Sequence, residues 1–158
     1  MSTNRCAWLF IMLSLFLLLT TPAGAAGTKE TPKSLPGINI IDSATLKNWL
    51  DQGEDFYLLD ARKASDYESG YIPGAENCIV PSDISIEAAA IDKTVAVLKK
   101  YESLRDIEKS DKIVAYCNSV TCWRSPKASL ALVKMGFSNV FWLREGIYTW
   151  KKNGFPVE

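Results

Sequence analysis

The stretch KIVAYCNSVTCWRSPKAS, Lys112 to Ser129, passes from a short apolar run, Ile113–Tyr116, into Cys117 and reaches Cys122 five positions later. A compact apolar run of this kind is typical of a strand that is buried on both faces of a parallel sheet. The residues after Cys122 are helix-like, so the two cysteines are predicted to lie in a strand-to-helix loop. Four interpretations are open at this point: a metal site, a disulfide, a nucleophile with a companion, or two core residues.

Apolar runs and helix-like stretches alternate along the chain on both sides of this loop. The predicted strands are Ile38–Asp42, Phe56–Asp60, Asn77–Val80, Ile113–Tyr116 and Asn139–Leu143. The predicted helices are Ser43–Leu50 with Ser43 as N-cap, Ala64–Ser69, Asp92–Leu104, Ser125–Met135 and Glu145–Gly154, and residues 81–91 fit either a loop or a helix. Such alternation favours an α/β fold, an open parallel sheet with helices on both faces, formed by residues 38–158.

The first 25 residues have the layout of a secretory signal peptide. Arg5 is the only charge before Lys29, an apolar run covers Cys6–Leu19, and Ala23 and Ala25 form a small-residue cleavage site. The alternative is an uncleaved membrane anchor, but the apolar run is shorter than the ~20 residues that span a bilayer. We therefore expect cleavage after residue 25 and a flexible leader at residues 26–37. We also expect export, with a bacterial periplasm as the favoured destination and secretion to the medium as the alternative.

Charge and composition exclude several classes of function. The chain has 18 basic and 18 acidic residues, and Arg5 is the only charge that cleavage would remove. The chain has no stripe of basic residues that would suggest binding to nucleic acid. Once the signal peptide is removed, no contact with a membrane is expected. The chain contains no histidine, which excludes Ser-His-Asp and Cys-His catalysis and imidazole metal sites. We expect one monomeric domain.

Cysteine usage points to reactivity. After cleavage the chain keeps Cys78, Cys117 and Cys122, an odd number that leaves at least one thiol outside a stable disulfide. Three cysteines without histidine fall short of a four-ligand zinc site, so we expect no metal and no cofactor. Cys117 follows a strand and precedes a helix, where backbone N–H groups and the helix dipole favour a thiolate. Such a site activates a nucleophile without a histidine.

Three signatures in this order resemble the rhodanese-like (sulfurtransferase) domain family. They are LLDARKASDYESGYIPGAEN at residues 58–77, the strand and cysteine IVAYC at residues 113–117, and NVFWLREGIYTWKKNGFPVE at residues 139–158. The resemblance covers residues 38–157 and implies the rhodanese-like open parallel sheet. It also identifies Cys117 with the catalytic cysteine of the family.

The resemblance implies sulfur transfer through a persulfide. In this mechanism the Cys117 thiolate takes a sulfane sulfur from an anionic donor such as thiosulfate and passes it to a thiol or to cyanide. The partners are therefore small sulfur-containing anions and thiols. The substrate-binding residues would be those of the loop: Asn118, Ser119, Val120, Thr121, Cys122, Trp123 and Arg124.

The loop departs from the family pattern in two places. Cys122 stands where an arginine is usual, and Arg124 comes two positions late. Cys122 is either a bystander or a resolving thiol for Cys117, and Arg124 either attracts an anionic donor or is a solvated side chain. Trp123 either lines the substrate pocket or belongs to the core.

Other residues have simpler interpretations. Asp60 and Arg62 are expected to brace neighbouring loops by charge-assisted hydrogen bonds, in preference to a catalytic role, and Cys78 is expected to be inert. Two further functions stay open, a thiol–disulfide redox protein that uses Cys117 and Cys122 and a non-catalytic binding module. A phosphatase loop is disfavoured, because it needs arginine six positions after the cysteine and this chain has it at the seventh.

Overall fold

The computed structural model describes residues 29–158, so the predicted signal peptide and the start of the leader lie outside the described residues. Its centre is a five-stranded sheet in which every pair of neighbours is parallel. The strands are β1 (Asn39–Ile41), β2 (Tyr57–Asp60), β3 (Ala75–Asn77), β4 (Ile113–Tyr116) and β5 (Val140–Leu143), and their spatial order is β1-β5-β4-β2-β3. The predicted α/β class is confirmed.

Helices connect the strands and cover both faces of the sheet. They are α1 (Ser43–Asp51), α2 (Ala64–Glu68), α3 (Ala88–Leu98), α4 (Arg124–Lys134) and α5 (Gly146–Lys152), with a short 3₁₀ turn at Glu102–Leu104. Within residues 29–158, no helix combines the length and the apolar character that a membrane span requires.

The side chains of the central strand β4 point alternately to the two faces of the sheet and so to the two halves of the core. Ile113 and Ala115 join a buried cluster with side chains of α3 and α4. Val114 and Tyr116 join a second cluster with side chains of α1 and α5. Because helices cover both faces, all four residues of this strand are buried, which explains the uninterrupted apolar run.

The strand register brings several chain segments to one edge of the sheet. Asp60 at the end of β2 is level with Tyr116, and Tyr116 is level with Leu143 at the end of β5. The residues that follow these strands, among them Cys117, therefore leave the sheet side by side. In open parallel sheets this carboxyl-end edge is where ligands bind.

The N-cap of helix α1 is Asp42, one residue before the predicted cap, and Ser43 is the first residue of the helix. The side chain of Asp42, not that of Ser43, accepts the backbone N–H of Thr45 at 2.8 Å. This hydrogen bond holds the pKa of Asp42 below its ordinary value. Ser43 is buried, and among the described residues its hydroxyl has no partner. Both residue types favour the N-cap position, so composition alone did not decide between them.

The third strand begins two residues and ends three residues earlier than predicted, at Ala75–Asn77 instead of Asn77–Val80. Regular pairing with β2 ends at Asn77, whose side-chain amide donates to the carbonyl groups of Asp60 and Arg62. Cys78 and Val80 are nevertheless buried in the core. The apolar residues that suggested a strand at this point are therefore buried in the core, but they do not form a regular ladder of β-sheet hydrogen bonds.

The structure has a helix at Ala88–Leu98 where the sequence predicts one at Asp92–Leu104. The observed helix starts earlier, is shorter, and is followed by the 3₁₀ turn. Leu98 and Leu104 are both buried in one cluster. In a continuous helix, two residues six positions apart point in directions about 120° apart around the axis. The break after Leu98 allows both leucines to face the core, a tertiary effect that the local pattern does not contain.

Candidate active site

Cys117 is the first residue after β4, at the carboxyl-end edge of the sheet, and only 1% of its surface is exposed. Its sulfur is bonded to that of Cys122 in a disulfide, with the two Cα atoms 6.2 Å apart. That separation is within the range of disulfides in general. The loop thus brings together the two cysteines whose distance the sequence left open.

The first two residues of the loop are hydrogen-bonded to the start of α5. The backbone N–H of Ile147 donates to the Cys117 carbonyl at 2.9 Å, and that of Tyr148 donates to the Asn118 carbonyl at 3.0 Å. Gly146 makes this approach feasible, because a Cβ atom there would lie 2.4 Å from the Cys117 carbonyl oxygen. Its φ of +67° also belongs to the left-handed region that favours glycine. Only glycine at position 146 therefore allows the backbone of Cys117 to lie this close to the start of α5.

Helix α4 starts directly after Trp123 and directs its positive dipole end to the loop. The Cys122 N–H donates to the Ser119 carbonyl at 3.0 Å, which closes a turn inside the loop. Among residues 29–158, no group accepts a hydrogen bond from the N–H groups of Ser119, Val120 or Trp123. These three donors therefore have no protein acceptor in that range and lie in the same loop as Cys117.

Polar side chains stiffen the first half of the loop. The hydroxyl groups of Ser119 and Thr121 are 3.0 Å apart, and the Asn118 amide donates to Asp66 at 3.2 Å. Partial burial opposes ionisation of Asp66, but the Asn118 hydrogen bond and the nearby charge of Lys63 outweigh it and lower the pKa of this carboxyl. Asp66 therefore stays ionised and ties the loop to α2.

Arg124 and Lys127, one turn apart on α4, both contact the segment after β3. The Arg124 guanidinium donates to the Val80 carbonyl, and the Lys127 ammonium contacts the Asp83 carboxylate at 2.9 Å. Lys127 is fully buried, and burial lowers its pKa despite the Asp83 charge. Arg124 thus already has a backbone partner, and its predicted part in donor binding stays a prediction.

Asp60 and Arg62 form a buried ion pair next to the loop. Arg62 Nε lies 2.9 Å from both carboxylate oxygens of Asp60, and Nη2 lies 2.6 Å from Oδ2. Nη2 also donates to the Gly70 carbonyl at 3.0 Å. Burial acts to lower the pKa of Arg62, but the hydrogen bonds and charge of Asp60 outweigh it and raise that pKa. The pair ties the end of β2 to the segment after α2, an arrangement suited to bracing.

The leader contacts the loop, which the sequence-based prediction of a flexible leader did not anticipate. Residues 29–32, here called the N-terminal strap, lie against it. Thr31 donates to the Val120 carbonyl through its N–H at 2.8 Å and its hydroxyl at 2.7 Å. Arg144, directly after β5, donates to the carbonyls of Thr31 and Pro32 at 2.7 and 2.8 Å. These bonds use backbone acceptors, so no side-chain pattern reveals them.

Trp123 lies between the strap and the segment before α3. Its indole N–H donates to the Lys29 carbonyl at 3.0 Å. With strap residues and residues 84–87 it lines a cleft of about 420 Å³. Trp123 thus forms the wall of a cleft next to the disulfide loop, although Cys117 itself does not line that cleft.

Cys78 is the free cysteine of the described residues, and it is fully buried. Burial raises the pKa of its thiol to about 11. A neutral, inaccessible thiol reacts poorly, since the thiolate is the nucleophile. The expected inert role of Cys78 agrees with this environment.

Sequence reasoning missed Lys127, Thr31, Arg144 and the steric role of Gly146. Only Lys127 had a usable signal, a lone cation within the small and apolar residues that follow Pro126. The contribution of the other three depends on backbone approach, which the residue types do not encode.

Comparison with known proteins relates this arrangement to one family. The sequence profile described as "Rhodanese-like domain" matches residues 42–153. A sulfurtransferase of Allochromatium vinosum is 29% identical over 123 residues, 76% of this chain and 94% of that protein. The chloroplastic rhodanese-like domain-containing protein 14 of Arabidopsis thaliana is 28% identical over 69% of this chain, but the chain spans only 60% of its length.

A solved structure supports the same relationship. The solution structure of the rhodanese-like domain of an Anabaena protein superposes with a TM-score of 0.56 at 29% identity. The match covers 75% of this chain and 76% of that domain. The shared fold extends over most of the described sheet and helices.

Proposed function

Because this chain belongs to the rhodanese-like domain family, we propose that it moves a sulfane sulfur from an anionic donor such as thiosulfate to a thiol or cyanide through a persulfide on Cys117. The observation that carries the proposal is the position of Cys117. It directly follows the central strand and precedes the N-terminus of α4. Sulfurtransferase relatives at about 29% identity support the same class of enzyme.

The surroundings of Cys117 can stabilise its thiolate form without a histidine. The α4 dipole favours negative charge at Cys117, and the N–H groups of Ser119, Val120 and Trp123 are donors within the same loop. Such surroundings lower the pKa of a cysteine below the free-thiol value. The disulfide must first be opened by a reductant, because a bonded sulfur cannot act as the nucleophile.

The proposed reaction has two displacement steps. The Cys117 thiolate attacks the outer sulfur of thiosulfate, the sulfur–sulfur bond of the donor breaks, and sulfite leaves with the bonding electron pair. Cyanide or an acceptor thiolate then attacks the terminal sulfur of the persulfide and takes it, which returns the electron pair to Cys117. Splitting the transfer through a covalent intermediate is nucleophilic catalysis.

Thiocyanate production tests the proposal. Reduced protein supplied with thiosulfate and cyanide is expected to form thiocyanate, and Cys117→Ser is expected to lose roughly 10³-fold or more, as loss of a nucleophile does. Cys78→Ala is the matched control, since this buried thiol lies outside the loop. Equal rates in wild type and Cys117→Ser would refute the proposal.

A second candidate is thiol–disulfide exchange without sulfur transfer, which the Cys117–Cys122 disulfide favours. It predicts that a dithiol reduces the disulfide reversibly while thiosulfate and cyanide give no thiocyanate. A binding module without catalysis predicts neither result. The same purified protein therefore separates the three functions.

Export is a further part of the proposal. Residues 1–25 are proposed as a cleaved signal peptide, with the periplasm as destination and secretion to the medium as the alternative. N-terminal sequencing of the exported protein is expected to begin at Ala26. Retention of residues 1–25 in the exported protein would contradict cleavage.

A further inference from the structure

The second cysteine of the loop suggests where the sulfur goes. We propose that Cys122 is a resolving thiol that attacks the Cys117 persulfide and releases its terminal sulfur as sulfide, so that the protein reduces sulfane sulfur at the expense of a dithiol. The inference rests on the proposed persulfide at Cys117. It adds a second catalytic residue, a product and a class of reducing partner.

Geometry is the first support. The sulfur of Cys122 reaches bonding contact with the sulfur of Cys117 while the loop keeps its anchors on α5. Those anchors are the hydrogen bonds from Ile147 and Tyr148 to the two carbonyls at the start of the loop. Since the backbone there is held, Cys122 needs no large rearrangement to attack the inner sulfur of the persulfide. An intramolecular thiol in this position acts at high effective concentration.

Atoms and electrons balance in the resolving step. The Cys122 sulfur forms a bond to the Cys117 sulfur, the bond between Cys117 and its terminal sulfur breaks, and hydrosulfide leaves with the electron pair. The proton of the Cys122 thiol goes to the leaving sulfide. The terminal sulfur is reduced by two electrons, and the two cysteines are oxidised to the disulfide. This product is the state observed in the structure.

Unequal exposure of the two cysteines indicates how the cycle closes. Cys117 is 1% exposed, whereas Cys122 is only half-buried. An incoming dithiol therefore attacks Cys122, and Cys117 leaves as the thiolate that the α4 dipole favours. The second thiol of the reductant then displaces Cys122. In the net reaction, thiosulfate and a dithiol are converted to sulfite, hydrogen sulfide and the disulfide form of the reductant.

An anaerobic single-turnover experiment tests the inference. Reduced protein is freed of reductant and mixed with one equivalent of thiosulfate, and released sulfide and intact mass are followed. Wild type is expected to release one sulfide per persulfide and to end with the Cys117–Cys122 disulfide. Cys122→Ser is expected to keep the persulfide at least roughly tenfold longer, because no internal thiol remains to attack it. Its persulfide should still give thiocyanate with cyanide, which also verifies that the variant folds.

The outcomes separate this inference from the proposed function. Equal persulfide lifetimes in wild type and Cys122→Ser would overturn the resolving role and leave sulfur transfer intact. No persulfide in either protein would overturn both. Cys78→Ala is the matched control, and a sulfide release that depended on Cys78 would also contradict the role of Cys122.

Discussion

Gly146 and Cys117 touch through their backbones so closely that no side chain fits between them. A Cβ on Gly146 would lie 2.4 Å from the Cys117 carbonyl oxygen and 2.6 Å from the Asn118 carbonyl carbon. The neighbouring atoms are backbone, so they cannot rotate out of the way. The position of the candidate nucleophile therefore depends on a glycine from a distant part of the chain.

Gly146→Ala should lower the free energy of unfolding by roughly 3 kcal/mol, since the added methyl group combines strain at positive φ with a backbone clash. Gly53→Ala is the matched control, because Gly53 has a φ of +65° and no atom within 4 Å of an added Cβ. The control isolates the φ strain, about 1–2 kcal/mol. Urea titration of both variants measures the difference, and equal losses would mean that the clash is unimportant.

The buried pair of Asp60 and Arg62 should matter for stability. Arg62→Leu leaves the Asp60 carboxylate buried without its partner, which costs roughly 3–5 kcal/mol. Lys134→Leu removes an exposed ion pair with Asp92 and should cost less than about 1 kcal/mol. Thermal or urea unfolding compares the two. A loss below 1 kcal/mol for Arg62→Leu would argue against the bracing role.

Arg144 should hold the N-terminal strap on the loop. In Arg144→Ala the carbonyls of Thr31 and Pro32 lose their guanidinium donor, a loss of roughly 1–2 kcal/mol in local stability. Cleavage after Lys33 by a lysine-specific protease should then accelerate roughly 5- to 30-fold, since proteolysis follows the open population. Arg105→Ala, at an exposed helix-end pair, is the control. Unchanged cleavage at Lys33 would contradict strap anchoring by Arg144.

Cys78 should give stability a pH dependence in alkaline solution. Its pKa is raised to about 11 in the folded protein, against 9.0 as the ordinary value. Between these values the unfolded chain loses the thiol proton while the folded protein keeps it, so the free energy of unfolding falls as pH rises. The contribution is on the order of 1–3 kcal/mol.

Measuring this effect requires a background without other reactive thiols. In Cys117→Ser/Cys122→Ser protein, urea unfolding at pH 8 and pH 10.5 should show a larger decline than the same protein with Cys78→Ala added. The buried tyrosines titrate in both proteins and cancel in the comparison. Identical declines would indicate that the Cys78 thiol titrates normally.

The sequence predicts the sheet well because the decisive signals are local. The run Ile113–Tyr116 is apolar at every position, and helices cover this strand on both faces of the sheet, as such a run requires. The position of Cys117 follows directly from that strand. By contrast, the end of α3 depends on where Leu98 and Leu104 meet the core, which no local pattern contains.

The candidate site was predictable to a smaller extent. Cys117 and Cys122 could be assigned to one loop, but their bonding distance depends on the turn that the Ser119 carbonyl closes. The strap was missed because its bonds use main-chain carbonyl groups. The contact of Arg124 with the Val80 carbonyl was missed for the same reason.

The location of the transferred sulfur tests the proposed persulfide on Cys117 most directly. Reduced Cys122→Ser protein is treated with thiosulfate, and the site of any added sulfur is read by peptide mass spectrometry. Sulfur transfer through Cys117 predicts one extra sulfur atom, on Cys117, that cyanide removes as thiocyanate. No added sulfur, or sulfur on Cys78 in place of Cys117, would contradict it.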